Sequence, residues 1–178
     1  ALAIRTTLKS KSELNIDEQN ISLMLGSNTH VVIYPINKKK ELNVVCIIRS
    51  KKYDPDNIKS LIEKTVLIQN PNLKIIFNNE IKSWPLYFNP KILPSSNKKV
   101  FYIGDAFNGF LPTLAQGAGQ SIESAYEIFK LLKKSKLESD NTYFEGRSRR
   151  AKIIRRRSSF NFFAFHFSSS IMQKIRNI

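Results

Sequence analysis

The stretch FYIGDAFNGFLPTLAQGAGQSIESAYEIFKLLKK, residues Phe101 to Lys134, sets an apolar run, a glycine-rich turn and an amphipathic helix in direct succession. Val100 to Ile103 predicts a short strand ending at Gly104. Ile122, Ala125, Tyr126, Phe129 and Leu132 recur with the helical period and predict one apolar helix face. Four of the six glycines, Gly104, Gly109, Gly117 and Gly119, lie between these elements or at their edges. Glycine admits positive φ and close approach of a ligand to the backbone, so the turn reads as a contact loop. The helix is polarised, with Glu123 and Glu127 early and Lys130, Lys133 and Lys134 late. Free amides at its start, Gly117 to Gln120, suit an acceptor or a developing negative charge. Asp105, at the strand end, is placed either to accept hydrogen bonds from ligand hydroxyls or to serve as a turn or cap aspartate.

Upstream the pattern is mainly β. Leu2 to Leu8 alternates, and after the polar stretch Lys9 to Gln19 come three runs rich in Val, Ile and Leu: Asn20 to Leu25, Thr29 to Ile36 and Leu42 to Arg49. Short polar connections at Gly26 to Asn28 and Asn37 to Glu41 predict an antiparallel meander. Pro35 cannot donate a ladder bond and predicts a strand end or edge. Asp54 and Pro55 predict a helix start, continued by Ile58, Leu61, Ile62 and Thr65 and closed by Asn70 and Pro71. Leu73 to Phe77 is ambiguous, Trp84 to Phe88 reads as a short aromatic strand, and Pro90 to Lys99 as a polar loop. Past a turn at Ser135 to Asp140 the tail reads as helical. Phe160, Phe163, Phe167, Ile171 and Ile175 keep near-helical spacing there, a stripe expected to pack in a core.

The chain of 178 residues is long enough for one domain with a real core. It carries 29 Lys and Arg against 14 Asp and Glu, a net charge of +15. From Thr142 onward nine residues are basic and one is acidic, so the charge is concentrated in the tail. A solvated basic face is the plain reading, and a phosphate-binding surface the sharper one. Cys46 is the single cysteine, which excludes an internal disulfide and a cysteine-rich zinc site, and its apolar setting predicts a buried thiol. No apolar run approaches the roughly 20 residues of a membrane helix, so the expected location is the cytoplasm. The two histidines, His30 and His166, stand far apart, and no G-x-S-x-G, H-E-x-x-H or G-x-x-x-x-G-K-[ST] occurs. Gly117-Ala118-Gly119 does not complete G-x-G-x-x-G, because Ile122 occupies the last position.

Gly104-Asp105-Ala106, Leu111-Pro112, Gln116-Gly117-Ala118-Gly119 and Ile122-Glu123-Ser124-Ala125 resemble, in order and without a gap, the second FAD-binding motif of the FAD-dependent aromatic hydroxylases. The likeness is strongest to the salicylate hydroxylase-like branch of these single-component flavoprotein monooxygenases. Leu25 to Pro35, LGSNTHVVIYP, resembles that branch's substrate-domain strand pair; Trp84-Pro85-Leu86 resembles the segment before the motif, and Tyr143 to His166 its Arg-rich C-terminal helix. The resemblance implies an α+β chain that is part of an α/β FAD-binding fold: a substrate-domain sheet and helix over residues 1–99, the flavin-binding strand, loop and helix over 100–134, and a basic helical region over 135–178. It further implies that Gly104, Asp105, Pro112, Gln116, Gly117, Ala118 and Gly119 bind FAD. Asp105 would take the ribityl hydroxyls, the amides of Gly117 to Gly119 would face the N1 and O2 edge of the isoalloxazine, and Pro112 would line the flavin and substrate pocket. The strands at His30 to Pro35 would cover a small aromatic substrate, with Tyr34 a candidate contact or a packed sheet tyrosine. The implied reaction is ring hydroxylation with NAD(P)H and oxygen.

The pattern departs from the family at Asn108, where the family has His, at Phe107, where it has a small residue, and at Ser124, where it has an acid. The family's N-terminal βαβ unit, with its G-x-G-x-x-G and ribose-binding acid, has no counterpart in these residues. ALAIRTTL, moreover, begins inside a strand without an initiator Met. The expectation is a C-terminal part, as fragment, split gene product or inactive remnant, that needs a separate N-terminal half to hold FAD tightly. The alternative from another class is a basic module that uses Arg147 to Arg157 on nucleic acid or an acidic partner, with Phe160 to Phe167 as stacking platforms.

Overall fold

The computed structural model describes residues 1–9, 16–17, 19–50, 54–88, 100–133 and 142–177. The polar stretches expected at 90–99 and 135–140 lie outside them. The chain forms two compact units, one of Ala1–Leu86 with Phe163–Ile178, the other of Tyr87–Phe162.

The first unit is built on a five-stranded antiparallel sheet of β1 (Leu2–Lys9), β2 (Ser22–Gly26), β3 (Thr29–Ile36), β4 (Glu41–Ile48) and β5 (Lys82–Pro85), in the order β2-β3-β4-β1-β5. The predicted meander is present. Asn28 adopts φ 58° in the first hairpin turn, and Asn37, Lys38 and Lys39 adopt φ 49°, 55° and 66° in the second. β2 pairs with β3 only from Thr29 to Ile33, so no β2 residue faces Pro35 and its missing donor costs no ladder bond. The aromatic strand falls two residues earlier than expected and is shorter, with Lys82 to Pro85 pairing with Arg5 to Leu2 of β1.

Alternation gives the sheet two different faces. Ile4, Cys46, Val31 and Met24 share one row, and with Leu2, Leu8, Ile33, Leu42, Val44 and Ile48 they meet Ile58, Ile62, Val66 and Leu73 in the core. Each such Leu, Ile or Val contributes about 1.5–3 kcal/mol by leaving water. The helical layer begins where expected: the Asp54 side chain accepts from the Asp56 amide, Pro55 opens a 3₁₀ turn, α1 runs Ile58–Ile62, and a π turn continues it to Leu67. Leu73 to Phe77, ambiguous in sequence, lies in a 3₁₀ segment, Pro71–Asn78. Cys46 is buried as predicted, and burial pushes its thiol up to about 12, so it is inert. The opposite face carries Arg5, Asn43, His30, Tyr34 and Trp84.

In the second unit Asp105–Asn108 forms a single turn, α2, and Gly117–Lys133 forms α3. The tail is two helices, not one: α4, Thr142–Phe165, which carries the chain back to the first unit, and α5, Ser170–Arg176. Three expectations fail here. Val100 to Ile103 is no strand, because no strand among the described residues pairs with it. The apolar face of α3 is not buried: Ile122, Tyr126, Phe129 and Leu132 are 51–70% exposed. Phe160, Phe163, Ile171 and Ile175 of the tail stripe are likewise exposed and form no core among the described residues. What α3 buries is its polar side, Gln120 and Ser124. Among the described residues no helix is long and apolar enough to cross a membrane.

Candidate functional site

The glycine-rich loop is folded against the start of α3. Gly104 takes φ +56°, and its carbonyl accepts from the amides of Phe107 and Asn108, each at 3.0 Å, which closes α2. A Cβ built on Gly104 would lie 2.5 Å from Ser121 Oγ, so the loop backbone packs directly on the first turns of α3. The two ends of the predicted motif therefore meet. Asp105 is exposed at the head of α2, and no hydrogen bond is formed by its carboxylate among the described residues. Of the two readings left by the sequence, the turn is closed without that side chain, which leaves it available to a ligand.

The other predicted residues line the same loop. Pro112 is exposed and opens a 3₁₀ turn, Pro112–Leu114, that Ala115 ends at φ 51°. Gln116 is exposed, and its carbonyl takes the Gln120 amide at 2.9 Å. A Cβ on Gly117 or Gly119 would meet nothing within 4 Å, and Ala118 is exposed, so the first turn of α3 opens on free space. Its amides lack intrahelical acceptors by helix geometry, and the helix dipole adds partial positive charge. An exposed carboxylate beside an open, donor-rich helix start suits a polyol joined to an electron-accepting ring, so the residues fit the flavin that the sequence pattern implies.

The positions that hold this loop were not legible in the sequence. Tyr143 Oη donates to Tyr102 O at 2.8 Å; Ser158 Oγ donates to Leu111 O at 2.6 Å; and Thr113 Oγ1 donates to Ser158 O at 2.8 Å. Arg147, only 3% exposed, donates to Gln120 O at 3.1 Å, Gln120 Oε1 at 2.8 Å and Glu123 Oε2 at 2.9 Å, with Glu127 at 3.6 Å. Thus α4 grips the segment before Gly104, the loop and the helix start at three separate levels. The Arg147 guanidinium holds the Glu123 carboxyl below its ordinary range against the opposing effect of burial, and Arg150 adds to this. The predicted solvated arginine face is accordingly incomplete, since Arg147 and Arg150 are engaged by α3. Asn108, at the family's His position, is 1% exposed with neither amide atom hydrogen-bonded.

Tyr34 lies in the first unit, half-buried on the sheet face that also carries Asn43 and Arg5. Arg5 Nε donates to Asn43 Oδ1, whereas Asn43 Nδ2 is buried without a partner. Arg5 and Lys82 line a cleft of about 400 Å³ with Thr6, Thr7, Asn79 and Glu80. An arginine in a strand of apolar alternation is the sequence signal for this feature. Among the described residues no group of three His, Cys, Asp or Glu could hold a metal.

No protein-family model matches the chain. The 3-amino-4-hydroxybenzoate 2-monooxygenase PtmB3 of Streptomyces platensis is 26% identical over 163 residues, covering 86% of this chain and 41% of its own length. Salicylate hydroxylase of Pseudomonas putida is 25% identical over 151 residues, covering 71% and 32%. Among solved structures, a salicylate hydroxylase substrate complex superposes with a TM-score of 0.75 at 18% identity, covering 99% of this chain and 51% of that one. An FAD complex of Klebsiella pneumoniae HpxO gives 0.70 at 12% identity, covering 99% and 50%. The chain spans about half the length of these relatives or less. In ordered sequence pattern and in fold, the chain resembles the C-terminal portion of the FAD-dependent aromatic hydroxylases, in their salicylate hydroxylase-like branch.

Proposed function

We propose that this chain is the substrate-sheet and second flavin-binding part of an FAD-dependent monooxygenase that hydroxylates an aromatic ring with NAD(P)H and oxygen. The observation that carries the reading is the open first turn of α3 backed against Gly104, with the Asp105 carboxylate unpartnered beside it. FAD, when bound, supplies the electron transfer and oxygen activation. The chain's residues bind and orient: Asp105 accepts from the ribityl hydroxyls, the amides of Gly117, Ala118 and Gly119 donate to the pyrimidine edge of the ring, and Gly104, Pro112 and Gln116 shape the loop around it. In this reading residues 1–99 serve the substrate and 100–134 the flavin, while within the basic helical region 135–178 Tyr143, Arg147 and Ser158 brace the flavin loop.

These residues address only the isoalloxazine and ribityl end. Riboflavin and FAD are therefore expected to bind the chain with affinities within about threefold, less than 1 kcal/mol apart, when flavin fluorescence is titrated. Asp105→Ala is expected to weaken both by at least about tenfold, roughly 1.4 kcal/mol. Tight, stoichiometric FAD binding by the chain alone would overturn the need for a second half.

That second half is the partner we assign to the uncovered face of α3. Ile122, Tyr126, Phe129 and Leu132, with Val100, Tyr102 and Ile103 nearby in sequence, are 42–70% exposed, an apolar array of the kind that marks an interaction site. A dinucleotide-binding βαβ half, joined to this chain or separate, would dock a parallel sheet there and give Val100 to Ile103 a strand partner. Ile122→Glu with Phe129→Glu is expected to abolish that assembly in size-exclusion chromatography. The fold itself should change by no more than about 0.5 kcal/mol per site, since both side chains are exposed.

The sheet supports an aromatic carboxylate as the substrate class. 3-Amino-4-hydroxybenzoate and salicylate, named in the relatives' activities, are aromatic carboxylates. Arg5, oriented by Asn43, supplies a guanidinium for such a carboxylate, and Tyr34 on the same face supplies a flat surface for the ring.

A further inference from the structure

We propose that the outward face of α4 is a docking surface for a bilayer that carries anionic lipid headgroups. The helix is divided lengthwise. Tyr143, Arg147, Ala151, Ile154 and Ser158 recur at three and four positions and are buried, and it is this side that holds the flavin loop through Tyr143, Arg147 and Ser158. The other side carries Arg149, Lys152, Ile153, Arg156, Arg157 and Phe160, all exposed. They too are spaced by three and four, and they run along roughly 16 Å of helix.

Within the chain this face is uncompensated. Glu145, one turn before Arg149, is the last acidic residue of the sequence, and no acid follows among the cations. Arg147 and Arg150 are taken up by the carboxylates of α3, and Arg155 has a contact of its own. Arg149, Lys152, Arg156 and Arg157 form no hydrogen bond or ion pair among the described residues. Like charges three and four positions apart weaken a helix, as Arg149 with Lys152 and Lys152 with Arg156 do here. Among these cations Ile153 is 46% and Phe160 67% exposed, which keeps apolar area in water.

One kind of partner relieves both costs. Anionic headgroups neutralise the guanidinium and ammonium groups, and the boundary between headgroups and acyl chains takes up Ile153 and Phe160. A nucleic acid answers the charge alone, because stacking on bases needs a flat π-face and Ile153 has none. The contact is peripheral, since among the described residues no helix is long and apolar enough to cross a membrane. Docking by this side leaves the grip of α4 on the flavin loop in place.

The test is co-flotation of the full chain with vesicles of phosphatidylcholine alone and of phosphatidylcholine with about 30% phosphatidylserine. At about 0.15 M salt the anionic vesicles are expected to bind at least about tenfold more tightly, and most of that difference is expected to vanish at about 0.5 M. Arg156→Glu with Arg157→Glu is expected to weaken binding to the anionic vesicles by at least about tenfold. Phe160→Ser is expected to weaken it by about three- to tenfold at either salt concentration. All three side chains are exposed, and circular dichroism checks that the fold persists. Should the charge-reversed variant not fold, Arg156→Gln with Arg157→Gln gives the same comparison with a smaller effect. Equal binding to both kinds of vesicle overturns the proposal, and so does anionic binding that the Arg156 and Arg157 variants leave unchanged. Charge-dependent binding that Phe160→Ser does not alter, with a DNA duplex bound as tightly at the same salt, overturns the bilayer in favour of a nucleic acid.

Discussion

Replacing Arg147 with methionine is expected to remove about 2–4 kcal/mol of unfolding free energy, the largest single effect among these side chains. The guanidinium is nearly fully buried and holds four acceptor sites on α3: the backbone and side-chain oxygens of Gln120, and the carboxylates of Glu123 and Glu127. Methionine fills much of the volume but donates nothing. The Gln120 oxygens, on a residue 2% exposed, then lose their partners and keep their desolvation cost. Glu123 and Glu127 can turn toward water, being 41% and 44% exposed, which keeps the loss below that of a fully buried pair. Lysine keeps the charge but not the fork, so Arg147→Lys is expected to recover less than about half of the loss. Urea denaturation read by circular dichroism checks both. The acid limb supplies a second readout. Because Arg147 holds Glu123 low, the pair stabilises the fold above the ordinary carboxyl value of 4.5, and that contribution disappears as pH falls below it. In Arg147→Met the loss of stability on acidification through this range is expected to be smaller than in the wild type.

Gly104→Ala carries the second large effect, about 2–3 kcal/mol, from two additive sources. The backbone at φ 56°, ψ −138° lies in a region that residues with a Cβ scarcely enter. The new methyl would also stand 2.5 Å from Ser121 Oγ and 3.2 Å from its Cβ. Ser121→Ala removes the closer contact and leaves the backbone strain, so the double variant is expected to recover less than about half of the loss. Asp105 follows Gly104 directly. A shift that relieves the strain displaces the carboxylate assigned to the ribityl chain, and flavin affinity should fall together with stability. If the double variant regains wild-type stability, the contact rather than the backbone conformation set the cost.

How far the sequence was legible differs between the two units. The meander of β2, β3 and β4 could be read from Val31, Ile33, Val44, Cys46 and Ile48, because alternation is a local signal and the polar turns between strands match hairpin lengths. Asp54 and Pro55 marked a helix start for the same local reason. Asp105, Pro112, Gln116 and the Gly117 to Gly119 run were marked as a candidate site by an ordered motif, and the structure folds them into one loop and helix start. The departure at Asn108 was visible too, and the fold shows it as a buried amide without a partner.

Periodicity misled where it could not say what lies opposite. Ile122, Tyr126, Phe129 and Leu132 specify an apolar helix face, yet within this chain α3 turns that face outward and packs Gln120 and Ser124 on Arg147 instead. Val100 to Ile103 has strand composition and, among the described residues, no strand to pair with. His30 and His166 looked unrelated, and Arg147 looked like one more surface cation. A strand, a turn or a cap is decided by residues a few positions apart, so the sequence by itself determined the meander, the helix starts and the glycine-rich loop. Which face of a helix is covered, which arginine is buried and which histidines touch depend on groups 24 to 136 positions apart. Chain closure over such distances leaves no periodic trace in the sequence, and only the tertiary structure decided them.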